Sequence, residues 1–66
     1  MYSVYVLQSL KYSKQIYTGS TIDLVKRLKD HNEGRSFSTK RYKPWKLIYY
    51  EAYETEKLAR MREKQL

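Results

Sequence analysis

The chain has no cysteine, one histidine, one proline and two glycines, and only seven acidic residues. Without cysteine there is neither a disulfide nor a thiolate–zinc staple. A single histidine rules out a metal cage built from imidazoles. No apolar run approaches the roughly 20 residues that cross a bilayer as a helix. The first residues lack the basic-then-apolar pattern of a secretory signal. These absences lead to the expectation of a cytoplasmic protein with no membrane partner. Sixty-six residues make one domain at most, and a chain this short buries only about 60% of its unfolded surface.

Aromatic and basic side chains are what the chain has in quantity. Eight tyrosines, one tryptophan and one phenylalanine bring large buried area per residue. Lys and Arg number 14, for a formal charge of +7. That balance points to a polyanion, nucleic acid above all. The competing reading is a basic surface that serves only solubility.

Residues 17–31 organise the rest. Tyr17 and Thr18 end a strand, Gly19 reads as a turn, and a helix is expected from about 21 to 32. Ser20 or Thr21 would cap it by accepting from an N–H of the first turn. Asp23 would lie in that turn, on the positive end of the helix dipole. Leu24, Val25 and Leu28 form an apolar stripe. Arg27 and His31, four apart, stack on its edge, so a strand-end tyrosine and an Arg/His pair aim at one neighbourhood. Gly34 stands where a left-handed C-terminal cap belongs.

Residues 2–7 alternate as a strand, with Tyr2, Val4 and Val6 on one face and Ser3, Tyr5 and Leu7 on the other. Residues 8–14 read as a hairpin connection to a second strand at 15–18, which brings Tyr5 and Tyr17 within range of each other. Residues 35–46 hold five basic side chains, Arg35, Lys40, Arg41, Lys43 and Lys46, and no acidic one. Phe37, Tyr42 and Trp45 lie among them. Such a run suits phosphates and stackable bases; alternatively the aromatics cap the core. Residues 47–50 form a third strand. Thr55 caps a last helix running to Leu66, with Leu58, Met61 and the Arg62 stem inward and Glu63 bordering the buried face. The expected fold is α/β of the α+β kind: a small three-stranded antiparallel sheet flanked by helices, in the order β-β-α-β-α.

Tyr5, Tyr17, Arg27, His31 and Glu63 together resemble what phosphodiester hydrolysis needs. Arginine's planar fork clamps a phosphate. One carboxylate with waters holds Mg²⁺. A tyrosine or histidine orients or deprotonates water. Each also has a plainer reading: packing for the tyrosines, solvation for Arg27, a helix-dipole partner for His31, a lysine pair for Glu63.

Ser3-Val4-Tyr5 and Tyr17-Thr18-Gly19 resemble the two halves of the GIY-YIG nuclease signature. The spacing of the halves, Arg27, His31 and the late Glu63 fit as well, so the resemblance covers essentially all of residues 1–66. It is most similar to small stand-alone members. The family includes homing endonucleases, some restriction enzymes, an excision-repair incision subunit and structure-specific resolvases, hence roles in DNA repair or recombination. The resemblance implies Mg²⁺- or Mn²⁺-dependent cleavage of DNA phosphodiesters. It makes Tyr17 or Tyr5 the phenol that activates or orients water. Arg27 stabilises the phosphate, His31 assists, and Glu63 holds the metal. Ser3 replaces the first signature glycine, and Thr18 replaces the central Ile or Val. Many members carry a further polar residue, commonly Asn, and small ones continue with a basic tail. This chain ends three residues after Glu63, so a domain truncated at its C-terminus is expected. The alternative to a nuclease is a nucleic-acid-binding module of the same fold whose cutting is weak, partner-dependent or absent.

Overall fold

A computed structural model describes residues 1–66. The elements run β1 (Tyr2–Ser9), β2 (Ile16–Thr21), α1 (Leu24–Asn32), β3 (Trp45–Tyr53) and α2 (Glu56–Gln65), with a turn of 3₁₀ helix at Lys40–Tyr42. They form the expected antiparallel sheet, with strand order β2-β1-β3. β1 is central and paired along both edges, and both of its faces are covered as well: Val4 on one and Tyr5 and Leu7 on the other are buried.

Cross-strand pairs show which helix covers which face. Leu7 lies opposite Tyr17 and Leu47, and the Tyr5–Leu7–Trp45 cluster is packed by Tyr17, Leu24, Leu28, Tyr42 and Leu47. α1 therefore closes that face. Val4 lies opposite Ser20 and Glu51. Glu51 accepts from Arg62 Nε of α2 at 2.7 Å, so α2 closes the other face, with Ala59 fully buried. Glu51 also accepts from the Tyr49 and Tyr53 hydroxyls. Arg62 first, then those phenols, hold its carboxyl down to about 2.

Several boundaries and faces differ from expectation, each for a local reason. Gly19 is not a turn: β2 continues through it to Thr21 because its backbone stays on the β1 ladder opposite Tyr5. α1 accordingly starts at Leu24. Its N-cap is Asp23, whose side chain accepts from Lys26 N, and not Ser20 or Thr21. Thr21 Oγ1 instead accepts from Asp23 N, 3.1 Å away, turning the chain into the helix. Val25 is 82% exposed, because one residue on from Leu24 is about 100° round the helix and only Leu24 and Leu28 pack on the core. β1 and β3 are longer than expected, and the hairpin connection shrinks to residues 10–15. On α2, Leu58 and Met61 are half-exposed while Ala59 is buried. The sheet is close enough there to admit only a methyl, and Arg62 is turned inward by its head group, not merely its stem. Thr55 caps α2 as expected, accepting from Leu58 N. Gly34, at φ +78°, closes α1 in the left-handed region.

Candidate active site

The site is built on an absence of side chain. Tyr5 faces Gly19 across the β1–β2 ladder, and its ring lies over that glycine. A Cβ at residue 19 would stand 2.6 Å from Tyr5 Oη, 2.8 Å from its Cζ and 3.0 Å from Tyr17 Cε2. The glycine is extended strand, so its role is space for the phenol, not an unusual φ.

In that space Tyr5 is 1% exposed, and its hydroxyl lies 2.9 Å from His31 Nε2. His31 is completely buried, with Nδ1 2.7 Å from Thr39 Oγ1. Tyr17 packs its ring 5.0 Å from that of His31 and 6.3 Å from that of Tyr5. Arg27 sits one helical turn before His31 on α1, so it reaches the same phenols. Proximity to the Tyr5 hydroxyl raises the Arg27 guanidinium above its usual range, against partial burial. Burial pushes the Tyr5 phenol up, and Arg27 pulls it partly back. Burial, then Arg27, hold His31 below the ordinary imidazole range, while Asp30 opposes them. His31 is thus a neutral core ring rather than the exposed dipole partner of the plainer reading.

Glu63 comes from α2. With Ser20, Arg60 and Lys64 it lines an open cleft of about 410 Å³. It is partly buried and belongs to no salt bridge of the chain; Arg60 pairs with Glu56 instead. Its charge is felt at Tyr5. No three His, Asp or Glu side chains gather as a metal cage. Glu63 is the one carboxylate lining this cleft; Arg60 is taken by Glu56 while Lys64 has no carboxylate partner, so a hard cation there would take one protein oxygen, with water and phosphate oxygens as its other ligands.

The basic segment divides. Arg35 is engaged by Asp30 at 3.2 Å and Glu33 at 3.1 Å. Lys40, Arg41, Lys43 and Lys46 are exposed and have no carboxylate partner. Of the aromatics, Trp45 is core: it is 4% exposed and donates Nε1–H to Thr39 O at 2.9 Å. Tyr42 packs edge-on against it. Phe37 is 85% exposed, with Lys40 Nζ 4.9 Å over its ring.

Two residues that hold the site escaped the sequence reading. Asn32 accepts from Trp45 N–H and donates to Trp45 O, tying the end of α1 to β3. Thr39 is 1% exposed beside His31. It lies in an irregular loop, where no periodicity marks an inward residue.

A family model described as the GIY-YIG catalytic domain matches residues 1–66. A UPF0213 protein of Streptococcus pyogenes serotype M3 is 42% identical over 57 residues, which are 85% of this chain and 60% of that protein. UPF0213 proteins of serotypes M1 and M4 match with the same identity and coverage. The aligned segment therefore spans less than two thirds of the length of these relatives.

Proposed function

The chain belongs to the GIY-YIG catalytic domain family, and from that membership we propose that it is a divalent-metal-dependent endonuclease domain hydrolysing DNA phosphodiesters. One observation carries the reading. Tyr5, Tyr17, Arg27 and His31 meet in one cluster, while Glu63, without an ion-pair partner, faces an open cleft and its own negative charge is felt at Tyr5. A module that only binds DNA needs the surface cations but not this set.

The roles follow from what each group already touches. Arg27 rests against phenols rather than carboxylates, so its charge is available to a phosphate and to the negative charge that grows on it. Tyr5 is committed to His31. Tyr17 is half-buried and the hydrogen-bonding neighbour of its hydroxyl is the Arg27 guanidinium, which only donates, so its oxygen is held by a cation and the phenol can orient or deprotonate the attacking water. Glu63 would hold Mg²⁺ or Mn²⁺, which when bound polarises the phosphate and acidifies water. Lys40, Arg41, Lys43 and Lys46 would track the DNA backbone, with Arg35 contributing less because two carboxylates already hold it.

The second reading is a binding module whose cutting needs a protein partner or a further segment. The 60% coverage of the relatives favours keeping it. Incubation with nicked, flapped, branched and plain duplex DNA, in Mg²⁺ or Mn²⁺ against EDTA, separates the two. Cleavage that EDTA abolishes is expected. Glu63→Gln should abolish it as well while DNA binding persists. Salt-sensitive DNA retention with no cleavage of any substrate would leave the binding module standing.

A further inference from the structure

Hydrogen-bond accounting around His31 leaves one consistent arrangement of protons. The Tyr5 hydroxyl is buried and has a single acceptor in reach, His31 Nε2 at 2.9 Å. Of its other polar neighbours, Arg27 has only donors, and the Tyr17 phenol, though near, makes no hydrogen bond with it. If Nε2 carried the imidazole proton, the Tyr5 O–H would be a buried donor with nothing to accept it, an arrangement native proteins avoid. Tyr5 therefore donates to Nε2, and the neutral ring carries its proton on Nδ1. Nδ1–H in turn needs an acceptor, which is Thr39 Oγ1 at 2.7 Å. The Thr39 hydroxyl proton is then directed to Ser36 O, 3.4 Å away.

From this chain we infer that Thr39 is a positioning residue: it holds His31 in the Nδ1–H tautomer, so that Tyr5 turns its oxygen, and not its proton, toward Arg27. Were the tautomer reversed, Nε2–H would donate to Tyr5 and the phenol proton would swing toward the guanidinium. Two donors would then face each other and Arg27 would lose its seat. Thr39 is built for the task, because its backbone cannot drift. Its carbonyl accepts from the Trp45 indole at 2.9 Å and from Tyr42 N at 3.1 Å, and its N–H donates to Ser36 O at 3.2 Å. The consequence for the phosphate clamp rests on the endonuclease reading; the tautomer does not.

The chain has one histidine, so a ¹⁵N-detected spectrum of the whole protein reports this ring without assignment ambiguity. A protonated Nδ1 and an acceptor Nε2 are expected at neutral pH. Thr39→Val, nearly isosteric, should shift the population toward Nε2–H and move the Arg27 Nε–H resonance, and Thr39→Ser should restore both. With cleavable DNA, Thr39→Val should lower kcat about tenfold, the worth of roughly one hydrogen bond, with KM little changed, and Ser should recover most of it. A parent protein with its proton on Nε2 overturns the inference even if no variant folds. So does a Thr39→Val protein that keeps the parent tautomer. A parent that shows the expected tautomer but cuts no DNA sinks the endonuclease reading and leaves Thr39's hold on the ring intact.

Discussion

Tyr5 Oη occupies the place where a side chain at Gly19 would begin: a Cβ there would stand 2.6 Å from it. The phenol cannot simply swing aside, because its hydroxyl is tied to His31 at 2.9 Å and the Tyr17 ring flanks it. Gly19→Ala should therefore destabilise the fold by about 1–3 kcal/mol, the usual cost of overpacking, and disturb the cluster as well. Thermal melts of parent and mutant measure the first effect. An unchanged melt would mean that Tyr5 moves freely and the glycine is there for some other reason.

The two tyrosines should separate when each loses its hydroxyl. Tyr17→Phe removes a half-buried hydroxyl whose neighbour, Arg27, is still met by Tyr5, so stability should change by about 1 kcal/mol or less, while most cleavage disappears. Tyr5→Phe leaves His31 Nε2 buried without its donor, which should cost about 1–3 kcal/mol. Parallel melts and cleavage rates check this. If Tyr17→Phe cuts at the parental rate while Tyr5→Phe is dead, the water-facing phenol is Tyr5.

Arg27→Lys keeps a positive charge but loses the planar fork that rests against the phenols and that the proposed role needs for phosphate as well. It should fail almost as badly as Arg27→Ala. The loss in kcat/KM should approach the ~3–4 kcal/mol seen for one strong transition-state donor. Recovery of most activity with Lys would reduce Arg27 to a steering charge.

His31 makes stability depend on pH with a definite sign. Its native pKa is held down by burial first and by Arg27 second, while the unfolded ring titrates near 6.5. As pH falls, the unfolded chain takes the proton first. The contribution of the neutral ring is complete above about pH 6.5 and is lost as pH drops through the lowered native pKa. Melting temperatures should be level from about pH 8 to 7 and decline below about 6.5. Glu51, held to about 2, begins to lose its contribution only below the ordinary carboxylate range, about pH 4.3, so the decline that starts at about pH 6.5 belongs to His31. A level melting temperature through the His31 window would show that the ring is protonated without cost to the fold.

Element types and their order were legible in the sequence because they follow from local signals. These are the alternation of residues 2–7, the four-residue spacing of Arg27 and His31, Thr55 ahead of α2 and Gly34 after α1. The charge excess was legible too, since it needs no fold. Register and depth were not. Gly19 looked like a turn because glycine's local meaning is conformational freedom, and only the ladder opposite Tyr5 gives it the meaning of vacant space. Leu58 and Met61 looked inward because they are apolar, but the close approach of α2 to the sheet admits Ala59 instead. Read from the sequence alone, Arg62 offers only a packing stem, because its partner, Glu51, lies eleven residues away on another element. Thr39 carried no signal at all: its place beside His31 is set by the path of a loop pinned through Trp45 and Tyr42. Local propensity determined which segments are strand or helix. Which side chains share a hydrogen bond in the core was decided only when three strands and two helices had to exclude water together, and every buried donor needed an acceptor.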